Sequence, residues 1–154
     1  MPDVLLEVPI LATPDKVYEA ITEQQGLAGW WTPDVVARAE AGSVAEFVFT
    51  GGPAGRFVVK MEIAALEPGR TVYWNVKQGA PEWTGTRVTW DLTPVDGGTS
   101  VRFAHRDYAS TEGSFASVGF NWAWFLISLK DYLETGKGWP GRLPAGRARS
   151  SVPD

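Results

Sequence analysis

The chain predicts an α+β domain, a curved antiparallel sheet wrapped around one long C-terminal helix. Three observations carry this. Apolar residues alternate with period two from Val35 to Arg106, and then recur at helical spacing from Val118 to Leu133. A short apolar strand and two brief helical segments precede both. Strands in a run, closed by a helix long enough to cover them, make an α+β architecture.

Val4 to Leu11 is apolar and bounded by prolines, and reads as the first strand. Thr13-Pro14 then supplies an N-cap and a proline at the first helical position, and Val17, Ala20 and Ile21 share one face of that helix. Gly26 is expected to interrupt it. Leu27, Trp30 and Trp31 fit a second short turn stopped by Pro33.

In the strand region Ala45, Phe47 and Phe49 alternate with Glu46 and Val48. Phe57, Val59, Met61 and Ile63 alternate with Val58, Lys60, Glu62 and Ala64. Val72, Trp74 and Val76, then Val88, Trp90 and Leu92, then Val101, Phe103 and His105, continue one inward face. Thr50-Gly51-Gly52-Pro53, Glu67-Pro68-Gly69-Arg70 and Asp96-Gly97-Gly98 read as the turns between strands.

The last helix is expected from about Ser114 to Thr135. Val118, Trp122, Phe125, Leu126, Leu129 and Leu133 lie on its sheet-facing stripe, and Gly136 supplies the stop. Phe120, Trp124 and Ile127 fall on the opposite side, where the sheet has no reach. A helix apolar on both sides needs a second cover. The chain after Gly136, through Trp139 or Leu143, is one candidate; a second copy in a two-fold dimer through Phe120, Trp124 and Ile127 is the expected one. Residues 1–136 therefore form the domain, and residues 137–154 read as a Gly/Pro/Arg-rich tail.

Composition narrows the function classes. A length of 154 residues fits one domain. With a net charge of −4 and a pI near 5.0 the chain has no basic footprint for nucleic acid. Having no cysteine, it has no disulfide or thiol chemistry, which fits a cytoplasmic location. The N-terminus lacks the basic segment of a signal peptide, and no apolar run reaches the ~20 residues of a membrane span. Eight tryptophans favour large apolar contact surfaces.

Several segments carry a family resemblance. They are Pro14-Asp15-Lys16-Val17-Tyr18-Glu19-Ala20-Ile21 after the first strand, Gly29-Trp30-Trp31, Glu67-Pro68-Gly69-Arg70 with Val72-Tyr73-Trp74, and Leu126-Ile127-Ser128-Leu129-Lys130-Asp131-Tyr132-Leu133-Glu134-Thr135-Gly136. In this order the chain, over roughly residues 4–140, resembles the START-like (SRPBCC) superfamily of helix-grip folds. Within it the chain is similar to the branch of the activator of heat-shock protein 90 ATPase homologues and polyketide cyclase-like proteins. The resemblance implies a cavity between sheet and last helix, in a superfamily of lipid carriers, receptors, cyclases and co-chaperone domains, so function has to be argued from the site.

The chemical inventory is short. One histidine and no cysteine leave no His/Cys metal set, and no cofactor motif appears; Gly51-Gly52-Pro53-Ala54-Gly55 lies between strands with no helix behind it to bind phosphate. His105 is the single catalytic candidate, pointed inward by its parity with Val101 and Phe103. A buried histidine hydrogen-bonded to its surroundings is the commoner outcome, and the inward face names no orienting partner for a base. Arg87, Arg102, Arg106, Lys60, Glu62 and Asp91 belong to cross-strand pairs on the outer face. The expected function is binding of a small apolar or aromatic molecule. Its cavity wall is expected from Trp31, Phe47, Phe49, Phe57, Val59, Trp74, Trp90, Phe103, His105 and Trp122. Asn121 and Trp83 have a second claim, as ligand anchor and cavity mouth. The alternatives are a co-chaperone-like protein interaction domain and a cyclase- or hydrolase-type enzyme using His105.

Overall fold

In the computed structural model, which describes residues 1–52 and 55–141, seven strands form one antiparallel sheet in the order β1-β7-β6-β5-β4-β3-β2. The strands are β1 (Val4–Ile10), β2 (Asp34–Val36), β3 (Val44–Gly52), β4 (Gly55–Glu67), β5 (Thr71–Gln78), β6 (Arg87–Val95) and β7 (Gly98–Arg106). Helices α1 (Pro14–Thr22) and α2 (Gln24–Trp30) join β1 to β2, and α3 (Phe115–Thr135) follows β7. A single 3-10 turn, Pro81–Trp83, lies between β5 and β6. The first strand is thus one residue shorter than its apolar run, and regular alternation starts at Val44, after the three-residue edge strand β2. The Pro53-Ala54 part of the first hairpin and residues 142–154, Leu143 among them, lie outside the described residues.

Local chemistry sets the boundaries. The Thr13 hydroxyl accepts from Lys16 N at 3.3 Å, capping α1, and Pro14 occupies the position where a missing N–H costs nothing. The break between α1 and α2 falls at Glu23, which is extended, rather than at Gly26, which lies inside α2. Gly26 serves packing instead: a Cβ there would sit 2.5 Å from Ala20 Cα, so its absence lets α2 lie on the backbone of α1. Gly136 ends α3 in the left-handed region, φ +86°, with its N–H bonded to Tyr132 O.

The expected inward face of the sheet is the core. Phe47, Val59, Met61, Val72, Trp74, Val88, Trp90, Val101, Phe103 and His105 are all buried against α3 and the two short helices. Two register shifts in the β4–β5 pair, at Lys60/Met61 and Ile63/Ala65, are the bulges that bend the thirteen-residue β4. On the outer face Thr89 and Ala104 pair across strands and are also buried, with Arg106 Nε reaching Thr89 at 3.4 Å.

The chain does not leave the domain at Gly136. Ser128, a fully buried hydroxyl on α3, donates to Trp30 O and accepts from Trp139 N, each at 2.7 Å. Gly141 N bonds Trp31 O, and Trp139 Nε1 donates to Asp131 at 3.0 Å. Gly138 is buried where a Cβ would meet Gly29 O at 2.6 Å. Residues 137–141 therefore pack at the α2–α3 crossing, with Trp139 bonded to Ser128 and Asp131 of α3. Along the outer stripe of α3 Phe120 and Ile127 are exposed, at 64% and 53%, while Trp124 is half-buried against the core.

Candidate functional site

A cavity of about 180 Å³ opens between the N-terminal half of α3, the 3-10 turn and strands β3 and β4. Trp31, Phe49, Phe57, Val59, Trp83, Trp122 and Phe125 form its apolar wall, with Ala80 and Val118. Ser114, Ser117 and Asn121 contribute polar atoms from α3 and its N-cap. No charged side chain of the described residues lines it.

Of the residues expected at a cavity wall, Trp31, Phe49, Phe57, Val59 and Trp122 are brought to this one. Phe47, Trp74, Trp90, Phe103 and His105 are not; they lie deeper, in a close-packed aromatic cluster. Trp31 is its centre. It stacks on Trp30 at 5.8 Å and on Trp74 at 6.0 Å, and tilts against Phe47 at 4.3 Å and Trp122 at 5.1 Å. Trp90 meets Trp30, Trp74 and Phe103 edge-on. Inward parity put Phe47, Trp74, Trp90, Phe103 and His105 on the same side of the sheet, but the bulk of these rings and of Trp31 fills the middle of the space. What remains open is the end nearest the start of α3. Trp83 and Asn121 do line the cavity, while Val118 and Phe125 read from sequence only as core and Ser114, Ser117 and Ala80 gave no signal. These walls meet because Glu82 binds Ser114 across 32 residues of sequence, a tertiary fact.

His105 is fully buried behind Trp83 and Trp122 and does not reach the cavity. Trp122 Nε1, which can only donate, points to His105 Nδ1 at 3.1 Å, so Nδ1 carries the lone pair and Nε2 the proton. Tyr108 OH lies 3.1 Å from the same lone pair. Nε2–H donates to Thr86 Oγ1 at 2.8 Å, and the Thr86 hydroxyl passes its own proton to Trp83 O. Burial pushes the imidazole pKa from 6.5 down to about 3, so the ring is neutral. Both nitrogens are engaged and neither faces open space. The geometry makes His105 a positioning residue: through one ring it holds Trp122 and, by way of Thr86, Trp83, two walls of the cavity.

The 3-10 turn is tied down a second time. The Glu82 carboxylate accepts from Ser114 Oγ at 3.0 Å and from Ser114 N at 3.4 Å, at the start of α3. Hydrogen bonds from its own backbone N–H and from the Ser114 hydroxyl hold its pKa below the ordinary carboxylate value. Gly113 makes this approach possible, since a Cβ there would collide with the carboxylate. Asn121, half-buried on the cavity wall, makes no hydrogen bond to a described residue. Among the described residues no group of three His, Cys, Asp or Glu side chains could hold a metal ion, and no helix is long and apolar enough to cross a membrane.

Comparison with solved structures places this geometry. The solution structure of the Aha1 dimer from Colwellia psychrerythraea superposes with a TM-score of 0.80 at 37% identity, over 90% of this chain and all of that one. DynU16, a protein of the dynemicin biosynthetic locus, superposes with a TM-score of 0.73 at 25% identity, over 88% of this chain and 48% of that one. A Mesorhizobium loti protein shares the fold at 23% identity and a TM-score of 0.73, over 86% and 97% of the two chains. No curated protein matches. Residues 11–134 match the model of the family described as activator of Hsp90 ATPase homolog 1-like protein. A seven-stranded sheet gripping α3, with the matched segment running from the end of β1 to the end of α3, makes this chain a member of that family within the START-like helix-grip superfamily.

Proposed function

We propose that this protein binds a small apolar or aromatic molecule in the cavity between the sheet, the 3-10 turn and α3. The carrying observation is the cavity itself, about 180 Å³ with a wall of tryptophan, phenylalanine and valine. An apolar cavity of ~150 Å³ in another protein admits benzene, so the space suits a molecule of one ring. It is well below the ~300–1,000 Å³ of drug-sized pockets, and a large lipid does not fit without displacing Trp31 or Trp122. The dynemicin-locus neighbour is consistent with a small-molecule setting. His105, buried and doubly engaged, gives the cyclase- or hydrolase-type alternative little support. The co-chaperone-like alternative draws on the family description alone.

Toluene, indole and phenol are the probes. At a concentration 100 times its dissociation constant, a bound probe stabilises the fold by ~2.7 kcal/mol. It is expected to raise the melting temperature and shift tryptophan fluorescence, since Trp31, Trp83 and Trp122 line the space. Ala80→Phe, on the cavity wall, is expected to abolish the response while leaving the fold intact. Absence of any response across such a panel removes this reading.

A second reading concerns assembly. The exposed Phe120 and Ile127 stand seven residues apart on one face of α3, with the half-buried Trp124 between them. We infer that a second copy covers this stripe, in a homodimer through Phe120, Trp124 and Ile127. The Colwellia relative, 37% identical over its whole length, is itself a dimer.

A further inference from the structure

We propose that the cavity selects an uncharged single-ring molecule bearing one hydrogen-bonding head, and that the Asn121 carboxamide reads that head. This rests on the ligand-binding reading above and specifies the ligand's class. Four features of the wall point there.

The first is charge. Among the described residues no Lys, Arg, His, Asp or Glu lines the cavity. An ion bound there would lose its hydration without gaining a counter-charge, which is costly in an apolar site. Glu82, which ties Ser114 to the 3-10 turn, is exposed to solvent and does not line the wall, so its charge is not buried beside a bound ion.

The second is size. About 180 Å³ accommodates one ring with a small substituent. The third is the state of the polar groups. Ser114 Oγ donates to Glu82 and Ser117 Oγ donates to Ser114 O, so both protons are used. The Asn121 carboxamide makes no hydrogen bond to a described residue, and the one buried polar atom on the wall without a partner among the described residues, Trp83 Nε1, can only donate. A carboxamide both donates and accepts, so it serves a phenolic hydroxyl, a carbonyl or an amide alike.

The fourth is position. Asn121 precedes Trp122 on α3, and Trp122 is pinned by His105, so the helix turn that carries the carboxamide is held in place. Apolar walls supply affinity without direction, and one fixed polar group then sets orientation and selects among ligands of similar size.

The test compares toluene, phenol, benzoate and tetramethylammonium on the full-length protein and on Asn121→Leu, with binding followed by tryptophan fluorescence and calorimetry. Leucine is close to asparagine in size, and the half-buried side chain it replaces holds no internal bond, so the variant is expected to fold with an unchanged melting temperature. The expected result is that Asn121→Leu weakens phenol roughly three- to tenfold, the value of one neutral hydrogen bond. Toluene is bound equally or better, and benzoate and tetramethylammonium are not bound by either protein. Phenol affinity unaffected by the substitution, with toluene still bound, overturns the role of Asn121 and leaves the ligand-binding reading standing. Tighter binding of benzoate or tetramethylammonium than of phenol overturns the uncharged class. No binding of any of the four removes both proposals together.

Discussion

At the scale of single residues, His105 shows how burial decides what an ionisable group does. Its inward parity is compatible with catalysis, but the ring stands behind two tryptophans with both nitrogens bonded. Its role is architectural, and it leaves a signature in pH. The folded pKa, about 3, lies below the unfolded value near 6.5. Between these values the unfolded chain takes up a proton that the folded chain refuses. Stability is therefore full above pH 6.5 and falls as pH drops below it, by about 1.4 kcal/mol per pH unit from this one group. Because the chain has one histidine, its imidazole resonances are unambiguous. They are expected to report a neutral Nε2–H tautomer that does not titrate between pH 8 and pH 5. His105→Gln is expected to flatten the stability profile between pH 6.5 and 5 and to cost about 1–3 kcal/mol at pH 7 from disturbed buried hydrogen bonds. An imidazole that titrates near 6.5 in the folded protein contradicts this assignment.

At the scale of elements, glycines set how closely the helices approach. Gly26 in α2 rests on the Ala20 backbone of α1, and Gly29 faces the Tyr132 ring of α3. Helix propensity alone predicts that Gly26→Ala stabilises by about 1 kcal/mol. The added methyl would lie 2.5 Å from Ala20 Cα and 2.8 Å from its carbonyl oxygen, backbone atoms that cannot rotate away. Overpacking of this kind costs about 1–3 kcal/mol, so net destabilisation is expected. Gly119→Ala in α3 is the contrast, since its Cβ would meet only the Val4 methyls at 3.8 and 4.0 Å. There propensity wins, and a gain of about 0.5–1 kcal/mol is expected. Urea unfolding of the two variants reads both signs, and a stabilised Gly26→Ala contradicts the close approach.

At the scale of the whole molecule, the sheet covers one side of α3 and residues 137–141 pack at the α2–α3 crossing, and among the described residues Phe120 and Ile127 stay exposed. Sedimentation velocity is expected to show a dimer. Ile127→Glu and Phe120→Glu, at positions already exposed, are expected to yield monomers with unchanged melting curves for the folded unit, because a charge at an apolar contact loses its hydration without a partner. A wild-type chain that sediments as a monomer at every concentration contradicts the dimer.

Periodicity alone determined a good deal of this protein. Alternation placed Phe47, Trp74, Trp90, Phe103 and His105 on one face, and i, i+4, i+7 spacing placed Val118, Trp122 and Phe125 on the sheet-facing side of α3, because each pattern reports which side of an element is dry. Thr13-Pro14 and Gly136 marked helix ends through local backbone chemistry. Which inward rings border open space was decided only by the tertiary structure. Parity gives a direction and no depth, and Trp31, packed among Trp30, Phe47, Trp74 and Trp122, fills the centre that parity left undetermined. The break at Glu23, the bridge made by Ser128 and the Glu82–Ser114 tie were equally out of reach. Each depends on a contact between segments distant in sequence or on the close approach of two backbones, and a pattern along the chain carries no record of either.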